Sequence, residues 1–230
     1  MFVSVIVLAA GEGLRMGGAV RKQFIELGCR PILAHTLDVF EGCAAVSEIV
    51  LVVSGETREY CRRDIVERFE YSKVKCIASG GKDRQASVYN GVKQVASQAD
   101  VVLVHDGVRP FVTEGVILGC IEEAAAYGCC TVAVRLKDSI KECAGDGFVK
   151  SSLARESLWA IQTPQGFRAG VLKEAHELAL KDNFSGTDDS VLAERAGYKV
   201  KLLEGRYDNI KITTEDDLVY AQYLLQERVK

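Results

Sequence analysis

The sequence predicts an α/β fold, a doubly wound, mostly parallel sheet with helices on both faces. Two observations carry this. Short apolar runs recur with little polar alternation, as strands buried on both faces require. Amphipathic segments of helical length separate them, so each strand is followed by an element able to cross back over the sheet. Strands are expected at 3–9, 49–53, 74–78, 101–104, 131–134 and 200–203. A helix is expected to follow Pro31, which suits a first helical position ahead of Ile32, Leu33 and Leu37. Further helices are expected at 56–69, 84–96, 114–127, 168–180 and 215–226. The stretch 137–167 breaks the alternation. It is polar and loop-rich, and Gly145 and Gly147 mark a turn between two extended pieces. It reads as an arm projecting from a single domain spanning 1–230, and as a dimerisation element.

Composition narrows the function. The 230 residues carry a net charge of −3; 48% are hydrophobic and 27% charged. That suits a packed soluble domain and speaks against a nucleic-acid-coating protein, which would show a basic excess. The apolar start has no basic segment ahead of it and ends in Gly-Glu-Gly, so it does not read as an export signal. No run approaches membrane-spanning length, and a cytoplasmic protein is expected. Eight cysteines without Cys-x-x-Cys spacing, beside three histidines, read as reduced thiols rather than a zinc site.

The chemistry gathers at strand ends, where such sheets bind ligands. After the first strand comes Ala9-Ala10-Gly11-Glu12-Gly13-Leu14-Arg15-Met16, with Lys22 seven residues beyond Arg15. Small residues let backbone N–H groups approach a phosphate chain. Met16 stands where a dinucleotide fingerprint needs its third glycine, so the loop is of another kind. Gly80-Gly81-Lys82-Asp83-Arg84 opens a helix without the Walker spacing, and Asp83 suits its cap. Asp106, in Val104-His105-Asp106-Gly107-Val108-Arg109-Pro110, ends an apolar strand where Mg²⁺ could bind. Asn209-Ile210-Lys211 precedes the last helix, capped by Thr213 or Thr214. Thr187-Asp188-Asp189-Ser190 reads as a helix cap, and His35 and His176 as packing or surface residues. Each signal alone has an ordinary structural explanation. Their joint occurrence suits Mg²⁺-assisted attack on a nucleotide phosphate by a phosphomonoester, whose oxygen is already largely ionised at neutral pH. Such a reaction needs cations and a metal to bring two polyanions together, and no acid–base dyad.

The same residues, with Gln162-Thr163-Pro164-Gln165-x-Phe167, Thr187-Asp188-Asp189 and Glu204-Gly205-x-x-x-Asn209-Ile210-Lys211, resemble the 2-C-methyl-D-erythritol 4-phosphate cytidylyltransferase family from Val3 to about Leu225. The resemblance implies a Rossmann-like sheet of nucleotidyltransferase type. It implies transfer of a cytidylyl group from CTP to methylerythritol phosphate, with release of pyrophosphate, in non-mevalonate isoprenoid synthesis. It also implies roles. Arg15 and Lys22 would stabilise the transition state, and Ala10, Gly11 and Gly13 would wrap the triphosphate. Gly81 and Ser87 would hold the cytidine. Asp106 would serve Mg²⁺ and substrate, with Arg109 and Ser139 shaping the substrate site. Arg155, on the arm, and Lys211 would grip the methylerythritol phosphate group, Arg155 in the neighbouring subunit of a homodimer. Gly107-Val108, Leu136, Ser139 and Gly17-Gly18 depart from the family pattern without removing a charge. A ribitol 5-phosphate cytidylyltransferase and a catalytically inactive nucleotide-binding module are the alternatives.

Overall fold

The computed structural model describes residues 1–11 and 20–229. The elements in chain order are β1 (Val3–Ala9), the two-residue strands β2 (Glu26–Leu27) and β3 (Arg30–Pro31), α1 (Ile32–Gly42), β4 (Glu48–Val53), α2 (Arg58–Tyr60), β5 (Val74–Ser79) and α3 (Arg84–Val92). There follow β6 (Val101–Asp106), α4 (Glu114–Tyr127), β7 (Cys129–Arg135), β8 (Lys141–Cys143), β9 (Val149–Ser152), β10 (Trp159–Arg168), α5 (Ala169–Lys181), α6 (Asp189–Arg195), β11 (Lys201–Glu204) and α7 (Glu215–Val229). The expected helix at 56–69 forms with a changing pitch: a 3-10 turn at Gly55–Thr57 leads into the single turn α2, which widens into a π-helical stretch, Cys61–Glu67, that buries Cys61 and Ile65.

Among the described residues, seven strands form one sheet in the order β5-β4-β1-β6-β10-β7-β11. All pairings are parallel except those of β10, which runs antiparallel to β6 and β7. Alternate residues of β1, β4 and β6 serve opposite cores, which is why these runs are largely apolar. Val3, Val5 and Val7 of β1, with Ile49 and Leu51 of β4, pack with Leu37, Phe40 and Ile117 of α1 and α4. Ile6, Val50, Val52 and Val104 face the other way, with Val88, Leu172 and Leu192 of α3, α5 and α6. Each such buried aliphatic side chain contributes about 1.5–3 kcal/mol. A third cluster of Leu27, Ile32, Val108, Phe111, Ile212 and Ala221 fastens α7 to the loops beyond the strand ends.

The arm needs correction at its far boundary. Its hairpin, β8 with β9, is exposed, as Phe148 and Val149 show. Residues 159–167, however, belong to β10 in the middle of the sheet. Pro164, Gly166 and three polar residues disguise this strand. Pro164 falls where the pairing with β7 shifts register, so its missing N–H breaks no regular ladder there. The polar side chains are buried because they find partners: Gln165 Nε2 donates to Thr131 Oγ1 at 3.0 Å.

The order of strands reverses at β1. The chain moves outward to β4 and β5, then returns to place β6 on the other side of β1. At this switch point the carboxyl ends of β1 and β6 face a common crevice. Gly107 closes it: its N–H donates to the Leu8 carbonyl at 2.8 Å, and a Cβ here would lie 2.8 Å from that oxygen.

Candidate active site

A cleft of about 580 Å³ opens at this point, lined from five segments. Ala10 and Gly11 come from the end of β1, Lys22 from a helical turn, and Gly81 and Ser87 from the start of α3. Asp106 comes from the last position of β6, and Lys211 from the approach to α7. These seven sequence-predicted residues are thus brought together. Arg109 sits behind Asp106, nearly buried. Gly13 and Arg15 lie outside the described residues. Ser139 and Arg155 are exposed on the arm and do not line the cleft; Arg155 Nη1 donates to the Lys137 carbonyl at 2.7 Å.

Asp106 is the electrostatic centre. Lys211 Nζ is 2.9 Å from Oδ2, Arg109 Nε is 3.6 Å from the same oxygen, and Arg84 Nε is 4.0 Å from Oδ1. Burial alone would raise the pKa of this carboxyl, but Lys211, Arg84 and Arg109 outweigh it and hold the group well below the ordinary carboxylate range. The floor of the cleft is therefore a fixed anion inside a ring of cations.

The main chain around Asp106 is braced by His105 and Thr163. His105 is fully buried, and burial pulls its pKa down to about 4, so it is neutral at physiological pH. Its Nε2 lies 3.2 Å from the Arg109 carbonyl, which can only accept, so Nε2 carries the proton. Its Nδ1 then accepts from the Thr163 hydroxyl at 3.1 Å, and that hydroxyl in turn accepts the Asp106 N–H at 3.1 Å. Asn209 completes the brace. Its Nδ2 donates to the Thr163 carbonyl at 2.9 Å, and its own carbonyl accepts from Arg109 Nη1 at 2.8 Å. Strand β10, invisible in the sequence as a strand, thus ties Asp106 to the segment carrying Lys211.

The Gly80–Gly81 side of the cleft is narrow. A Cβ on Gly80 would meet that of Ala10 at 2.5 Å, and one on Gly81 would meet that of Ala86 at 2.4 Å. Asp83 caps α3 by accepting from the Ala86 N–H at 2.7 Å, as expected. The Ser87 hydroxyl accepts from the Gly81 N–H at 3.0 Å and donates to the Asp83 carbonyl at 2.8 Å, so its proton shapes the turn.

Several residues here had no role in the sequence reading. Arg84 lines the cleft and bonds through Nη1 to Asp189 Oδ2 at 2.8 Å; Asp189 in turn meets His176 Nε2 at 3.0 Å. Burial would raise the pKa of Asp189, but Arg84 and His176 lower it on balance. Asp188 is the helix cap that the spacing suggested, accepting from the N–H groups of Ser190 and Val191, while its neighbour Asp189 is a buried ion-pair partner. The sequence signal was the position of Arg84 beside a glycine turn; its partners, about a hundred residues away, left no local trace. Of the two threonines, Thr214 accepts the Asp217 N–H at 3.2 Å at the start of α7. No cluster of three or more metal-ligating side chains occurs among the described residues. No described helix is long and apolar enough to cross a membrane.

The chain matches, over residues 3–227, a family model described as 2-C-methyl-D-erythritol 4-phosphate cytidylyltransferase. It is 47% identical to the enzyme of that name from Alkaliphilus metalliredigens, with 98% of this chain and 94% of the relative covered. It is 44% identical to that of Geobacter metallireducens, with both chains fully covered. Its fold superposes on the crystal structure of 4-diphosphocytidyl-2C-methyl-D-erythritol synthase from Anaerococcus prevotii with a TM-score of 0.85, at 36% identity, covering 98% of this chain and 96% of the other. On sequence and fold alike, over nearly its whole length, the chain belongs to the 2-C-methyl-D-erythritol 4-phosphate cytidylyltransferase family.

Proposed function

We propose that the protein transfers the cytidylyl group of CTP to 2-C-methyl-D-erythritol 4-phosphate, a step of non-mevalonate isoprenoid synthesis. A phosphate oxygen of the polyol attacks the α-phosphorus of CTP. The bond from that phosphorus to the β-phosphate oxygen breaks, and pyrophosphate leaves. The observation that carries this reading is Asp106, held ionised by Lys211, Arg109 and Arg84 in a cleft walled by Ala10, Gly11 and Gly81. A phosphomonoester arrives as a dianion, so the protein needs to supply charge and position rather than a base.

Within this proposal, Lys22 and Arg15 stabilise the transition state at the α-phosphate. Ala10, Gly11, Gly13, Gly81 and Ser87 hold CTP. Lys211 and Arg109 belong to the polyol phosphate site, to which Ser139 and Arg155 are added from the arm of a second copy in a homodimer. Mg²⁺ fits the donor set as an ion bound mainly by the triphosphate, with Asp106 as a single hard oxygen ligand. When bound it would neutralise phosphate charge. A cytoplasmic setting accords with eight cysteines that are all free thiols.

The test is pyrophosphate release from CTP with methylerythritol phosphate and, separately, with ribitol 5-phosphate. Turnover with the first and little with the second is expected. Preference for ribitol phosphate would replace the substrate, and release with neither would leave a nucleotide-binding module.

A further inference from the structure

We propose that Gln23 is a positioning residue for the nucleotide loop, clamping the backbone that carries Ala10 and Gly11 and coupling it to the turn that carries Lys22. Gln23 lies in the short helical turn Lys22–Phe24 and is only 1% exposed. Its Nε2 is 2.8 Å from the Ala9 carbonyl oxygen and 3.2 Å from that of Gly11. Carbonyl oxygens only accept, so the NH₂ end of the amide faces the loop and supplies both bonds. In a trans peptide the carbonyl and the following N–H point in opposite directions. Holding the Ala9 carbonyl therefore fixes the direction of the Ala10 N–H, at a residue that lines the cleft. Lys22, one residue before Gln23, lines the same cleft. The Gln23 side chain thus ties the loop to the backbone from which Lys22 reaches into the cleft.

The side chains nearest to it in shape lack these donors. Glutamate has the shape but, ionised, brings no donor and sets a negative charge against two carbonyl oxygens. Methionine has the length and no donor. In either case two carbonyls lose their partner and the loop loses its clamp.

The inference rests on the transferase reading, and its test separates the two. Gln23→Glu and Gln23→Met are compared with the unaltered enzyme by pyrophosphate release, varying CTP and methylerythritol phosphate separately from about pH 6 to pH 8.5, with thermal melting alongside. Both variants should raise KM for CTP by about tenfold or more, leaving KM for the polyol phosphate within about twofold. Gln23→Glu should regain part of the loss toward about pH 6, where a buried carboxyl takes up a proton and can donate to a loop carbonyl. Gln23→Met should not. If Gln23→Glu does not fold, the KM split in Gln23→Met decides alone. An unchanged KM for CTP, or equal loss toward both substrates without pH recovery, would overturn the positioning role. Lack of turnover by the unaltered enzyme would instead remove the transferase reading.

Discussion

The cleft and the arm both present cations to solvent, yet they are built in opposite ways. In the cleft the charges around Asp106 are linked: Asp106 to Lys211, Arg109 and Arg84, then Arg84 to Asp189, which His176 also meets. Those links join β6, α3, α5, α6 and the segment before α7. Arg155 on the arm, by contrast, is exposed and bonded to one backbone carbonyl within the arm's own root. Arg135 and Lys137 at that root lie over the rings of Trp159 and Tyr207, at 4.5 and 3.6 Å. The lesson is that the cleft is preorganised by the fold, whereas the arm offers its charge outward. Electrostatic preorganisation is what a phosphoryl-type transfer needs most. An outward charge is useful only where something is brought to it.

The sharpest way to break this contrast is Asp106→Asn. It keeps the shape and removes the anion around which three cations are arranged, so turnover should fall by about a hundredfold or more in pyrophosphate release. Near-normal turnover would mean that the ring of charge is structural only. Next in size is Arg155→Ala, which should raise KM for the polyol phosphate by about tenfold while leaving the melting temperature unchanged. A drop in stability would show that the arm is braced by Arg155 after all.

Two smaller effects probe the rigidity of the cleft. Gly107→Ala should destabilise the fold by about 1–3 kcal/mol in a denaturant titration, because its methyl group has no room between Leu8 and Leu33. A neutral result would mean that the two strand ends can move apart. The subtlest concerns His105. Its pKa in the fold is lowered to about 4, against about 6.5 when unfolded. Between these values the unfolded chain takes up a proton that the folded one refuses, so this group's effect is to lower stability as pH falls through that window. The depressed pKa of Asp106 acts at more acid pH: its contribution is complete above the unfolded carboxylate value and lost as pH falls toward the folded one. Nitrogen chemical shifts of the His105 ring at about pH 5 should show a neutral imidazole protonated at Nε2. A charged ring at that pH would contradict the brace.

What could be read in the sequence follows from how local the physics is. The inner parallel strands were legible because burial on both faces leaves long apolar runs, as at 5–9 in β1 and 49–53 in β4. Strand β10 was hidden because Gln162, Thr163 and Gln165 are satisfied by partners far away in the chain, such as Asn209 and Thr131. Loop and charge motifs located the cleft residues Ala10, Gly81, Asp106 and Lys211, since each ends or begins an element. The Arg84–Asp189–His176 string and the Gln23 clamp are tertiary, and no spacing announces them. Arg15 and Gly13 remain expectations, lying outside the described residues.

The contrast between the two regions converges on one claim, that a complete site joins the cleft of one subunit to the arm of another. Mixing Asp106→Asn with Arg155→Ala, after exchange of subunits, tests it directly. A two-fold dimer would then regain intact sites in the mixed species, pairing the unaltered cleft of one chain with the unaltered arm of the other. Assayed with polyol phosphate well below its KM, where Arg155→Ala alone keeps about a tenth of the wild-type rate, activity should rise to roughly a quarter of that rate at equal mixing. If the mixture stays at the mean of its two parents although mixed dimers have formed, the arm serves its own cleft and the claim fails.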